Sequence, residues 1–268
     1  VPRFEGSEHV LVSRPEPGVA VLELARGKVN AIDQAFYAEL GEVFDAVSGD
    51  EQIRCAVLTG RGHVFCAGND LRDFAAMDAR HGEEHMRTVR RCFSALLECA
   101  VPVVAAVNGP ALGSGLGLVA SCDLVVASER ATFGLPEMGV GVLGGGRFTA
   151  RMLPQQAVRR LFFTAEPVGA ATFRDWGAPA EVVAHEELLP AALRLARSVA
   201  AKDRHALTLA KQSLNGCEPL DLERGYRLEQ TFTVRLSAHA SSKEAVAGRM
   251  AELGVAAPNT ADPGTAGP

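Results

Sequence analysis

The 268 residues carry 27 Lys and Arg against 32 Asp and Glu, for a formal net charge of −5, and 47% are hydrophobic. Such a chain buries a core and belongs to neither the disordered nor the fibrous classes. The acidic balance, without a Lys/Arg cluster, disfavours a duplex nucleic-acid partner, because that binding runs on phosphate neutralisation; a small polyanion needs only a few local cations or a helix N-terminus.

Six cysteines are present, none in a C-x-x-C pair, and most lie in apolar surroundings such as Cys55-Ala56-Val57-Leu58. They read as reduced, buried thiols of a cytoplasmic protein. The first residues lack a basic-then-apolar leader. The longest apolar run, Val101–Val107, stops at Asn108-Gly109-Pro110, well short of the roughly 18 residues that span a bilayer. No membrane partner is expected.

In chain order, Val10–Val12 and Val19–Leu24 read as strands separated by the turn-rich Arg14-Pro15-Glu16-Pro17-Gly18. Asp33 reads as the N-cap of a helix with Phe36, Leu40, Val43, Phe44 and Val47 on one face. A strand over Arg54–Leu58 closes at Thr59-Gly60, and residues 60–80 show no clear period. Met86, Val89, Cys92, Phe93, Leu96 and Leu97 recur at helical spacing. Val103–Val107 is again a strand, followed by a Gly-rich turn, a short helix over about 114–121, and a strand at Leu124–Ala127. Four helices are expected later, over Leu188–Ala201, His205–Asn215, Leu222–Leu236 and Ser242–Leu253. The pattern gives an α/β core over residues 1–186, a helical region over 187–257 and a disordered tail over 258–268, rich in Pro, Gly, Ala and Thr.

Two Gly-containing turns stand out. One is Phe65-Cys66-Ala67-Gly68-Asn69-Asp70-Leu71; the other runs from Asn108 to Gly117 through Gly113-Ser114-Gly115. Such turns let backbone approach a ligand closely, and the second aims the free N–H groups of a helix start at it. Together they form a candidate oxyanion hole, one N–H from each turn; either alone reads more readily as a tight turn without a ligand. The Gly113–Gly117 run lacks the G-x-G-x-x-G spacing of dinucleotide sites, and no G-x-S-x-G elbow surrounds Ser114. His81-Gly82-Glu83-Glu84-His85 is not H-E-x-x-H, and Gly82 disfavours the helix that histidine ligands at i and i+4 would need, so no metal site is expected. Cys66 reads as packing rather than as a nucleophile.

Taken with Phe133-Gly134-Leu135-Pro136-Glu137 and Val29-Asn30-Ala31, these turns resemble the enoyl-CoA hydratase/isomerase (crotonase) family over roughly residues 8–253. The resemblance implies a spiral of ββα units with a C-terminal helical trimerisation domain, and a homotrimer or homohexamer. It implies an acyl-CoA substrate, with CoA arriving as part of the thioester and no separate cofactor. The oxyanion N–H groups would be those of Asn69 and Ser114; Ser114 departs from the family's usual Gly, which a backbone donor tolerates. Lys28 and Arg72 would stand near the CoA phosphates, backbone around Ala67 would meet the adenine, and Ala31 and Gly115 would complete the contacts.

Hydratases of this family usually carry two glutamates. Glu137 matches the second, whereas the first falls on Gly117, which has no side chain. By this resemblance Glu137 is the catalytic carboxylate, and a lone carboxylate suits isomerisation: it takes a C2 proton, leaves an enolate, and returns the proton at C4. Desolvation against an acyl pocket would raise its pKa. Arg147, after a shortened loop, lacks a family counterpart; it either pairs with Glu137 or orients a substrate carboxylate. Decarboxylation, thioester hydrolysis and an inactive acyl-CoA binder remain the alternatives.

Overall fold

The computed structural model describes residues 7–76, 80, 82–178 and 180–255; the tail expected at 258–268 and His81 lie outside them. β1 (Val10–Glu16) and β2 (Val19–Leu24) form an antiparallel hairpin. Arg14-Pro15-Glu16 belongs to β1 rather than to the turn. The register shifts between Ser13 and Glu16, and Pro15 is tolerated because β1 is an edge strand.

Helix α1 (Gln34–Gly49) is capped by Asp33, whose side chain accepts from the Phe36 N–H at 2.9 Å. Its expected apolar face is buried throughout. β3 (Cys55–Gly60) precedes the short α2 (Leu71–Ala76) and then α3 (Gly82–Leu97), which packs on α1. β4 (Val103–Val107), β5 (Ala111–Leu112), α4 (Ser114–Ser121), β6 (Leu124–Ser128) and β7 (Thr132–Gly134) follow. The next stretch holds a 3₁₀ turn (Pro136–Val140), α5 (Gly146–Thr149), α6 (Gln155–Thr164), β8 (Val168–Gly169), α7 (Ala170–Asp175) and β9 (Ala180–Val183).

The main sheet has the order β1-β2-β3-β4-β6-β9, parallel from β2 onward. Its central strands are buried on both faces, so they read as continuous apolar runs rather than as alternation. Ala56, Leu58, Val103, Ala105 and Val107 join Phe36, Leu40 and Phe44 of α1 in one core. Cys55, Val57, Val104 and Ala106 face the other way, toward Leu188, Ala191, Ala192 and Ala196 of α8 (Leu188–Ala200). Small alanines let that helix approach the sheet closely.

The chain divides into two compact units at Lys211/Gln212, so α8, the first helix of the expected helical region, covers the sheet of the first unit. In that unit Lys211 is 4% exposed and donates to Asp123 at 2.7 Å. Asp123 in turn accepts from the N–H of Val103 at 2.7 Å, fixing the start of β4. The second unit contains the end of α9 (Arg204–Cys217), then α10 (Leu222–Ser237) and α11 (Ala240–Glu252). Among the described residues, no helix is long and apolar enough to cross a membrane.

Candidate active site

Three turns leave the carboxyl ends of β2, β3 and β4 and meet at one cavity, where open α/β sheets commonly bind ligands. The residue holding the first two together is Asn30. It is fully buried with φ +51°, a conformation that asparagine tolerates better than most side chains. Its side-chain amide donates to the carbonyls of Val64 at 2.9 Å and Phe65 at 3.2 Å, while its Oδ1 accepts from the Arg26 N–H at 3.0 Å. Backbone bonds from Ala67 N–H to Val29 O and from Ile32 N–H to Gly68 O complete the pairing. The β3 and β4 turns are joined in the same way: Cys66 N–H donates to Pro110 O and Leu112 N–H to Cys66 O. The two Gly-containing turns are therefore neighbours.

Ser114 is the first residue of α4, and Gly113 before it (φ +54°) offers no side-chain cap. The Ser114 N–H has no preceding turn to bond within the helix. On the other loop, the Gly68 carbonyl and the Asp70 N–H both pair with Ile32, leaving the Asn69 N–H outside that bridge. A Cβ on Gly68 (φ +93°) would stand 2.8 Å from Leu112 O and 3.5 Å from Ser114 N, so glycine permits the approach of the two donor loops.

Glu137 arrives beside them through the second sheet. β5 pairs in parallel with β7, and Gly113 N–H donates to Gly134 O at 2.9 Å, so the chain after β7 runs alongside Gly113–Ser114. Glu137 lies in the 3₁₀ turn and is 7% exposed. A Cβ on Gly113 would stand 2.8 Å from its Oε1, and one on Gly145 3.5 Å away. Its Oε2 is buried without a hydrogen-bond partner. Burial pushes its pKa up to about 7, opposed by its own backbone N–H.

The cavity, about 810 Å³, is lined by Lys28, Ala31, Ala67, Asn69, Arg72 and Glu137 among others, so the structure gathers six expected site residues. It holds two carboxylates whose surroundings shift them in opposite directions. Asp70 accepts from Arg72 Nε at 3.0 Å and Nη2 at 2.6 Å, which holds its carboxyl well below the ordinary range. Glu137, by contrast, is poised near neutrality.

Three expectations change. Neither Ser114 nor Gly115 lines the cavity, which Gly113 of the same turn does; a Cβ on Gly115 would meet Cys66 O at 2.3 Å, so this glycine permits the close packing of the two turns. Arg147 is exposed on α5 and makes no ion pair with Glu137, which removes one of its two expected roles. Gly82, expected to disfavour helix, opens α3, where its first-turn position costs little. The Cys66 thiol is buried and desolvation pushes its pKa up to about 12, as packing requires. Among the described residues no group of His, Cys, Asp or Glu is arranged to hold a metal ion.

Sequence reasoning missed Arg26, Tyr37 and Phe93. Arg26 lines the cavity, donates to Ala31 O at 2.6 Å and pairs with Asp33 and Asp70. Tyr37, buried on α1, reaches Asn69 and Ser114. Phe93 packs its ring on Gly117, where an added Cβ would stand 3.1 Å from Cε1 and Cζ. The α1 period marks Tyr37 as adjacent to the apolar face, but nothing local shows what it touches.

The buried Glu137 carboxylate thus shares one cavity with the Gly68–Asn69 turn, with Gly113 immediately before Ser114, and with the cations Arg26, Lys28 and Arg72. The enoyl-CoA hydratase/isomerase family model matches residues 14–252, and the chain belongs to that crotonase family. It is 41% identical over 230 residues to the (7aS)-7a-methyl-1,5-dioxo-2,3,5,6,7,7a-hexahydro-1H-indene-carboxyl-CoA hydrolase of Mycobacterium tuberculosis, covering 83% of this chain and 91% of the relative. The protein of the same name from Rhodococcus jostii is 37% identical, over 85% of this chain and 88% of the relative. The crystal structure of an enoyl-CoA hydratase from Mycobacterium smegmatis superposes with a TM-score of 0.87 at 30% identity, covering 91% of this chain and 96% of that one.

Proposed function

We propose that the protein acts on an acyl-CoA thioester through its enolate, with Glu137 as the single acid–base group and the Asn69 and Ser114 backbone N–H groups as oxyanion donors. The observation that carries this reading is the Glu137 carboxylate: buried at the cavity wall, with Oε2 unpartnered and Oε1 against the loop that presents Ser114. The Phe93 ring beside Gly117 supports one carboxylate rather than two. Arg26, Lys28 and Arg72 at the cavity supply cations for the CoA phosphates.

We take the reaction to be hydrolysis of an oxo-substituted cyclic acyl-CoA, the class named by the two bacterial relatives. Glu137 takes a proton from water, and the hydroxide adds to an oxo carbon β to the thioester. The bond from that carbon to the α-carbon breaks, and its electron pair moves onto the thioester carbonyl as the enolate. Glu137 then returns the proton to the α-carbon, for a net uptake of one water. The second reading is double-bond isomerisation from C3 to C2, favoured by the lone carboxylate, which takes and returns a proton without water.

The test is a side-by-side assay of a cyclic β-oxo acyl-CoA, a 3-enoyl-CoA, a 2-enoyl-CoA and a malonyl-type thioester. Mass spectrometry reads the uptake of one water, and chromatography reads isomers. Failure of all four, with binding retained, would leave an inactive acyl-CoA binder.

A further inference from the structure

The two oxyanion donors sit on separate loops, so catalysis depends on what fixes the distance between them. Preorganised donors stabilise a transition state only if they need not reorganise as charge develops. The backbone pairing of Cys66 with Ala111 lies three residues before each donor. Beyond it, the loops diverge in role: one continues into α2, the other opens α4.

At the donor residues themselves, side chains connect the loops. Ser114 Oγ donates to Asn69 Oδ1 at 2.9 Å. The Tyr37 hydroxyl also reaches Asn69 Oδ1 and lies 2.6 Å from Ser114 Oγ. Tyr37 is 1% exposed, and α1 holds it through the buried Phe36, Leu40 and Phe44. Burial holds its phenol above the ordinary tyrosine range, so it remains a donor throughout the working pH range. The serine at position 114 supplies a hydroxyl that a glycine there would lack.

We propose that the side chains of Tyr37, Ser114 and Asn69 form a clamp across the oxyanion hole, in which the Tyr37 and Ser114 hydroxyls are positioning residues that set the separation of the Asn69 and Ser114 N–H groups. The proposal rests on the reading of those two N–H groups as the oxyanion donors. The clamp acts on the polarisation of the thioester carbonyl, not on affinity for CoA.

The test uses the full chain and two variants that each remove one hydroxyl, Tyr37→Phe and Ser114→Ala. Each is expected to lower kcat about ten- to a hundredfold, with KM changing less than about threefold. Because both hydroxyls serve one acceptor, the double variant should lose little more than the worse single one, as coupled residues do. The spectroscopic readout is difference infrared of cinnamoyl-CoA carrying ¹³C at its thioester carbonyl, bound in a Glu137→Gln background so that nothing turns over. The carbonyl stretch should shift to lower frequency in that background and recover toward its free value when either hydroxyl is removed. A full shift retained in both variants overturns the clamp and leaves the oxyanion reading standing. No shift even with both hydroxyls present overturns that reading and the clamp with it. Thermal melting identifies a variant that has lost its fold, and the other variant then decides.

Discussion

The Glu137 carboxylate lies against Gly113, the residue immediately before Ser114: a Cβ at 113 would stand 2.8 Å from Oε1. The proposed base and the loop that presents the proposed donor thus meet at one glycine. That contact requires a residue without a side chain, in a backbone conformation (φ +54°, ψ −119°) that L-residues rarely adopt.

Gly113→Ala is therefore expected to damage both halves of the site. The methyl displaces the carboxylate, and the backbone rotates the Ser114 N–H away from its aim. Turnover should fall by at least about a hundredfold, with a loss of about 1–3 kcal/mol of stability from backbone strain. Steady-state kinetics and denaturant unfolding measure the two effects separately.

Glu137→Gln keeps the shape and removes the proton affinity, so turnover should fall about 10²–10⁴-fold while acyl-CoA binding by calorimetry persists. In the native sequence, kcat/KM should rise with pH and level off above an apparent pKa near 7, because the base must be ionised. The stability linkage has the opposite sense. The folded-state pKa lies above the ordinary 4.5, so the native state holds more protons than the unfolded one between those values. Stability contributed by this group is complete below about pH 4.5 and is lost as pH rises through about 7. Melting temperature against pH should lose that slope in Glu137→Gln.

Much of this molecule can be read from local pattern. Asp33 and the apolar stripe from Phe36 to Val47 define α1, and the uniformly apolar Val103–Val107 defines a doubly covered strand. Only the resemblance singles out Glu137, since a glutamate after proline is ordinary in itself. The missing parts are those made by tertiary contact. Tyr37 and Asn69 meet across 32 positions, and Phe93 reaches Gly117 from another helix. Apart from α6, the stretch from the 3₁₀ turn to β9 is built of elements of two to six residues, too brief to show a period. The periodicity of α8 marks a helix with one apolar face but not what that face covers, which is the sheet of the first unit.

The cations at the cavity predict a dissection of CoA binding. Arg72 is 85% exposed and forks onto Asp70, so it can turn toward a phosphate at little cost. Arg72→Ala should weaken binding of a CoA thioester several-fold, and more at low salt than at high salt, yet leave a phosphate-poor pantetheine thioester unaffected. Equal loss for both ligands would place Arg72 in the fold rather than in phosphate recognition.

The second unit exposes Leu222, Tyr226 and Val234 on α10, an apolar set that a subunit contact would cover. Light scattering at micromolar concentration should give a trimer or hexamer. Leu222→Asp combined with Val234→Asp should lower that mass, and a monomer in the unaltered protein would remove the assembly proposal.

By resemblance, Gly117 falls where family hydratases carry their first glutamate, and restoring that residue is the direct route to a two-acid site. The packing opposes it. A Cβ at 117 would press on Phe93 Cε1 and Cζ at 3.1 Å, and Phe93 is itself stacked on Phe148 with centroids 4.5 Å apart. Gly117→Glu alone should therefore drive its side chain against the Phe93 ring. Stability should fall by several kcal/mol, the cost of an unpaired buried charge, and no hydration of 2-enoyl-CoA should appear. Removing the obstruction changes the expectation: Phe93→Ala together with Gly117→Glu opens the space that the ring occupied. In that pair, hydration should rise above the level of Phe93→Ala alone, and Glu137→Gln added to it should abolish the gain. If Gly117→Glu by itself folds normally and hydrates 2-enoyl-CoA, the Phe93 ring is not what restricts this site to one carboxylate, and the one-base reading loses its steric support.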